Sequence, residues 1–136
     1  MQRALVTGGA GFIGSHLTEA LLARGVAVTV IDDESTGRIA NLQAVRDHPQ
    51  LRVVRGSIGE LSRIQEALEG VDAVFHLAAA VGVALIAREP LQTIERNIYP
   101  TQLLLDELCR RRGRQSIRFF LASTSEVYGK NPKPVW

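Results

Sequence analysis

The segment Thr7-Gly8-Gly9-Ala10-Gly11-Phe12-Ile13-Gly14 limits what this chain can fold into more than any other stretch. It follows the apolar run Ala4–Thr7 and opens a stretch of helical period, so it reads as a strand-to-helix turn. Glycines at 8, 11 and 14 give G-x-x-G-x-x-G, and those at 9, 11 and 14 give G-x-G-x-x-G. One glycine permits a tight turn with positive φ, a second lets the backbone approach a pyrophosphate, and Gly14 lets the helix lie close to the sheet. The amides at the helix N-terminus then face the phosphates. Gly8, Gly9, Ala10, Gly11, Phe12, Ile13 and Gly14 are therefore the first candidate cofactor-binding residues.

A glycine pattern alone is weak, and its context makes it strong. Eighteen residues past Gly14 a second apolar run, Val26–Asp32, ends in an acid. Asp32 is placed to accept hydrogen bonds from the adenosine ribose hydroxyls and to repel a 2′-phosphate, which selects NAD over NADP. The loop Asp33, Glu34, Ser35, Thr36, Gly37 lies next to that ribose. Pairing of Arg3 or Arg38 with a 2′-phosphate is the competing, NADP-binding reading.

Elsewhere, apolar runs of strand length alternate with longer segments of helical period, the pattern of a parallel sheet with crossover helices. Strands are expected at Ala4–Thr7, Val26–Asp32, Leu51–Arg55, Ala73–Leu77 and Ile117–Ala122, each apolar enough to be buried on both faces. Helices are expected at Gly11–Arg24, capped by Gly25, and at Arg38–Asp47, Ser62–Leu68 and Pro90–Arg112. Right-handed crossovers give one α/β domain, residues 1–136, with a Rossmann-type sheet in order 3-2-1-4-5, helices on both faces and a crevice at the strands' carboxyl ends.

Composition narrows the function classes. The net charge is only +2, and Arg110, Arg111, Arg112, Arg114 and Arg118 cluster where a helix end favours cations, with no nucleic-acid reader motif nearby. Nucleic acid is not an expected partner. Cys109 is the only cysteine, and His16, His48 and His76 come from unrelated segments, so neither a disulfide nor a metal site is expected. No apolar run reaches the roughly 18 residues of a membrane span, and Met1-Gln2-Arg3 leads straight into a strand. The expectation is a cytoplasmic protein away from membranes.

Two further strand ends carry small or polar residues. His76-Leu77-Ala78-Ala79 closes the fourth strand, where small side chains let a ribose and pyrophosphate lie against backbone, and His76 reads as hydrogen-bonded structure. The fifth strand ends in Ser123-Thr124-Ser125-Glu126-Val127-Tyr128-Gly129, a burst of hydroxyls with one carboxylate at the end of the sheet where active sites form.

With these residues the sequence resembles the extended short-chain dehydrogenase/reductases, specifically the NAD-dependent nucleotide-sugar epimerases, dehydratases and decarboxylases. The markers are the glycine turn, Asp32 with Ser35-Thr36-Gly37, His76-Leu77-Ala78-Ala79, Asn97 in the long helix, and Ser123 to Gly129. The resemblance implies bound NAD that removes a hydride from a sugar carbon and later returns it. It implies a UDP-, GDP- or dTDP-sugar as substrate, a homodimer, and cofactor contacts from Ser57, Ile58, Leu77, Ala78, Ala79 and Asn97. Thr124 matches a hydroxyl that hydrogen-bonds the reacting oxygen, and Glu126 is a candidate acid/base. Thr124-Ser125-Glu126 is similar to the triplet in UDP-glucuronate decarboxylases and GDP-mannose dehydratases, whereas dTDP-glucose dehydratases resemble Thr-Asp-Glu.

Two departures stand out. Ser57 occupies a position where relatives carry an acid that contacts the adenine amino group, and a neutral hydroxyl accepts more weakly than a carboxylate. The family's Y-x-x-x-K, whose tyrosine is the general base, does not occur in these residues, since neither Tyr99 nor Tyr128 is followed by lysine at that spacing. The expectation is an N-terminal, cofactor-holding part of a longer enzyme, lacking its substrate region. A non-catalytic NAD-binding module and an NADP-dependent ketone reductase are the alternatives.

Overall fold

Five short apolar runs pair into one sheet in which every neighbouring pair is parallel. The computed structural model describes residues 1–80, 88, 90–111, 113, 116–124, 127 and 129. The strands are β1 (Arg3–Thr7), β2 (Ala27–Asp32), β3 (Leu51–Arg55), β4 (Ala73–His76) and β5 (Arg118–Leu121). Their order is β3-β2-β1-β4-β5, as the sequence implies. The helices are α1 (Phe12–Leu22), α2 (Leu61–Ala67) and α3 (Pro90–Arg111). This is a Rossmann-type sheet with cover on both faces.

The period of two along each strand sorts side chains between those faces. Leu5, Ile31, Val54 and Val74 pack with Ile64 and Leu68 of the α2 region and with Leu104 of α3. Ala4, Val6, Val28 and Val30 pack on the opposite face with Leu21 and Leu22 of α1 and with Leu42. Leu103 and Leu108 of α3 also lean on the core, whereas Leu105 is exposed.

The expectation that all five strands are buried on both faces fails at β3 and β5. Arg52, Val53 and Arg55 are exposed on β3, and Arg118, Phe120 and Leu121 on β5. Among the described residues both are edge strands, with one neighbour apiece. The segment expected as a helix over Arg38–Asp47 is instead a 3-10 helix, Ile39–Val45. Its apolar residues Ile39, Leu42 and Val45 recur every three positions, which fits three residues per turn and seats all three on the core.

Gly25 closes α1 as expected. At φ +74 it lets its own amide reach the Leu22 carbonyl and the Val26 amide reach that of Leu21, a Schellman ending. α3 carries Pro100 in its interior. Proline has no amide to offer the carbonyl four residues back, so Arg96 loses that helical bond. Lower on α3, buried Glu107 accepts hydrogen bonds from Arg111 at 2.9 Å and Gln65 at 3.4 Å, while Arg111 also reaches the Leu68 carbonyl. These contacts tie α3 to the α2 region. Among the described residues, no helix is long and apolar enough to cross a membrane.

Candidate functional site

The glycine turn folds because its residues have no room for side chains. A Cβ on Gly14 would lie 2.2 Å from the Gly8 carbonyl oxygen, and one on Gly9 would meet Val30 at 2.6 Å. Gly8 has φ +68, and a Cβ there would stand 2.9 Å from the backbone of Ala78. Gly37, from the loop after β2, comes as close to Ala10 and Gly11. Gly11 takes the N-cap position of α1 without a side-chain cap. The first bond back to it comes from the Ser15 amide, so the amides of Phe12 and Ile13 have no acceptor within the helix. Their side chains are 78% and 69% exposed, leaving this helix end open to an anion.

Asp32 is nearly buried, and both its oxygens are already engaged. Oδ2 accepts the Ala10 amide at 2.9 Å and Oδ1 accepts the Glu34 amide at 2.8 Å. These two bonds orient the carboxylate rather than exhaust it, because each oxygen keeps a lone pair for a ligand hydroxyl. The loop beyond is locally fixed as well. Asp33 accepts the Ser35 amide, and Glu34, in the left-handed region at φ 57, accepts the Ile39 amide through Oε1. Ala10 anchors the far end, its carbonyl accepting from Arg38 N and Asn41 Nδ2.

Above these strand ends lies a cleft of about 540 Å³. Gly8, Asp32, Asp33, Ser35, Thr36, Ser57, Ile58, Ala78 and Ala79 line it, all expected from sequence. Ile31, Gly56, Ala80, Arg96 and Pro100 also line it and were not expected. Gly9, Ala10, Gly11, Gly14 and Gly37 act from behind as the packed corner that shapes it. Asn97 and Leu77 lie behind the wall too. Asn97 Oδ1 accepts the Ala80 amide at 2.6 Å while its Nδ2 donates to the Ala80 carbonyl at 3.0 Å, so its amide positions the wall.

A chain of hydrogen bonds supports that wall. Thr7 Oγ1 accepts the amides of Leu77 and Ala78, both at 3.1 Å, which fills its lone pairs. Its own proton therefore goes to His76 Nδ1, 2.7 Å away. His76 is thereby fixed as the Nε2–H tautomer, donating to Thr101 Oγ1 at 2.9 Å, and Thr101 donates to the Asn97 carbonyl at 2.6 Å. Thr7 is the residue sequence reasoning missed here. Its signal was a hydroxyl at the buried end of a strand, where a polar group needs partners.

Burial holds the His76 pKa below its ordinary 6.5. A second ring proton would also point at a Thr7 oxygen whose acceptor sites are taken. The unfolded chain binds this proton more readily than the folded one, so stability is full above about pH 6.5 and falls as pH drops through the lower folded value. Urea midpoints measured at about pH 7.5 and about pH 5.5 are expected to fall on acidification, and His76→Asn is expected to flatten that slope.

Thr124 lies just past β5, exposed, with its carbonyl accepting the Val127 amide at 3.3 Å. It is not among the cleft's lining residues. Glu126 falls outside the described residues, as do Ser125 and Tyr128. The site thus combines open helix amides suited to an anion, a held carboxylate suited to a diol, and small residues against which a flat ligand can lie.

Comparison with known proteins agrees with that chemistry. The sequence model of the family described as GDP-mannose 4,6 dehydratase matches residues 5–135. UDP-glucuronic acid decarboxylase 1 of Arabidopsis thaliana is 40% identical over 127 residues, covering 93% of this chain and 27% of that protein. Among solved structures, DesIV, a dTDP-glucose 4,6-dehydratase from Streptomyces venezuelae with NAD and TYD bound, superposes with a TM-score of 0.86 at 39% identity. The match covers 99% of this chain and 43% of that one. UDP-glucose 4-epimerase from Thermotoga maritima, with UDP-glucose, gives 0.82 at 33% identity over 97% of this chain and 41% of that one. The chain spans 26% to 41% of the length of the curated relatives it matches.

Proposed function

The chain belongs to the GDP-mannose 4,6-dehydratase family, and from that premise we propose that it is the NAD-binding domain of a nucleotide-sugar epimerase, dehydratase or decarboxylase. The observation that carries this reading is the cleft itself. Gly8, Asp32 and the Ala78–Ala80 wall line one cavity beside the open N-terminus of α1. Residues 1–136 act as one unit in it. The residues fit the cofactor by their crowding: at Gly8 and Gly14 a single added carbon would enter occupied space.

When bound, NAD supplies reversible hydride transfer at a sugar carbon. With NAD bound, the amides of Phe12 and Ile13 would hold its pyrophosphate, Asp32 would hold its adenosine ribose, and Ala78 and Ala79 would offer it a surface of backbone. By resemblance to the family motif, Thr124 is assigned to hydrogen-bonding the reacting oxygen and Glu126 to acid/base work. A tyrosine in Y-x-x-x-K is not present in these residues, so no proton-abstracting base is assigned among them. UDP-, GDP- or dTDP-sugars are the substrate class. The cytoplasm is the proposed location, with neither nucleic acid nor membrane as partner.

A second copy of the chain is the proposed protein partner. Leu91, Ile94, Ile98 and Leu105 form an exposed stripe along α3, at a spacing that keeps them on one face. Calorimetric titration tests the cofactor reading: saturable heat with NAD and a weaker response to NADP are expected, and no saturable heat with either overturns it. Sedimentation at rising concentration tests the stripe, and a chain that stays monomeric overturns that part.

A further inference from the structure

The first three strand ends of the sheet lie side by side along the cleft. The glycine turn follows β1, Asp32 ends β2, and Gly56-Ser57-Ile58 follows β3, on the side away from the turn. Neighbouring strands are about 4.8 Å apart, so a bound dinucleotide would meet β1 with its phosphates, β2 with its ribose and β3 with its base. The base end is therefore walled below by Ser57 and Ile58. Its other wall comes from α3. A Cβ on Gly59 would be 3.3 Å from Ser57 Oγ and 3.8 Å from Pro100 Cγ, which sets the Pro100 turn directly against the β3 loop. Arg96 lies one helical turn before Pro100, and both line the cleft.

Three observations distinguish Arg96. It is the one basic residue among the described residues that line the cleft, which also holds Asp32 and Asp33. It is exposed, and no ion pair to it is found among the described residues. Finally, the base end lacks an anionic acceptor: Ser57 is neutral, and its oxygen already accepts the Gly59 amide at 3.0 Å. A guanidinium is planar, stacks on aromatic faces and needs no countercharge there.

We propose that Arg96 is a nucleotide-binding residue whose guanidinium covers the face of the adenine ring, taking over the affinity that an acid at position 57 would have supplied. This rests on the dinucleotide reading of the cleft. The arrangement makes the base end rely on stacking rather than on recognition of the adenine amino group, so a purine bearing a 6-oxo group is accepted nearly as well.

The test compares the full chain with Arg96→Ala and Arg96→Lys, titrated with NAD, with nicotinamide hypoxanthine dinucleotide and with nicotinamide mononucleotide. Adenosine binding is followed by NMR shifts. Arg96→Ala is expected to weaken NAD, the hypoxanthine dinucleotide and adenosine by about tenfold, within the range of a desolvated cation–aromatic contact. Nicotinamide mononucleotide binding is expected to stay unchanged, Arg96→Lys to recover part of the loss, and the melting temperature to stay constant. Unchanged NAD affinity in Arg96→Ala overturns the proposal. So does a loss seen with NAD but not with adenosine, which would assign the guanidinium to a phosphate. If the unmodified chain binds no dinucleotide, the cofactor reading itself has failed, a result distinct from either.

Discussion

Gly14→Ala is expected to abolish measurable NAD binding and to lower stability by about 3 kcal/mol, at the upper end of overpacking costs. The added methyl would sit 2.2 Å from the Gly8 carbonyl oxygen and 2.7 Å from Gly9 Cα. Both neighbours are backbone, so no rotamer change relieves the clash. Either α1 moves away from β1 or the turn opens. Both outcomes displace the Phe12 and Ile13 amides at the open N-terminus of α1. Gly25→Ala provides the control. It is also strained, with φ +74, yet nothing lies within 4 Å of its added carbon. It is expected to cost about 1 kcal/mol and to leave affinity unchanged. Denaturant melts paired with calorimetric titrations of both variants check this, and wild-type affinity in Gly14→Ala would remove the corner from the binding machinery.

Asp32→Ala carries the second large effect, because one carboxylate serves the fold and the ligand at once. Its removal leaves the Ala10 amide without its buried acceptor and frees the Glu34 amide at the start of the loop. Loss of two charge-assisted bonds is expected to cost about 2–3 kcal/mol in stability. NAD affinity is expected to fall about 100-fold, the scale of losing a bidentate contact to the ribose diol. NADP affinity should fall less, since the repulsion of its 2′-phosphate disappears with the carboxylate. Asp32→Asn keeps one acceptor oxygen and is expected to recover part of the stability while still losing NAD preference. An unchanged ratio of NAD to NADP affinity in Asp32→Ala would show that cofactor choice resides elsewhere.

The sheet was legible because its inner strands are apolar on both faces, and such runs have few alternatives in a chain with crossover helices between them. Reading failed where burial is partial. β3 and β5 are no poorer in Val, Leu and Phe than the inner strands, and their place at the edges exposes Val53, Phe120 and Leu121. The Ile39–Val45 segment departs from the expected helix for a different reason. Its period of three was present in the sequence, but per turn it differs from a helical 3.6 by less than a residue, and the segment is only about two turns long.

Sequence alone determined the chemistry of the corner. Gly8, Gly14 and Asp32 are one-residue decisions, since no other residue type gives the missing Cβ, and the acid at the second strand's end carries its meaning in its spacing. Tertiary structure decided how that corner is held and what closes over it. Thr7, His76, Thr101 and Asn97 come from three elements, and their hydrogen-bond chain exists only once β1, β4 and α3 are adjacent. Arg96 was one more charge on a helix until Pro100 met the β3 loop and brought it to the cleft wall. Local spacing fixes what the backbone can do within one turn of chain. Contacts between residues tens of positions apart depend on packing, which no local pattern records.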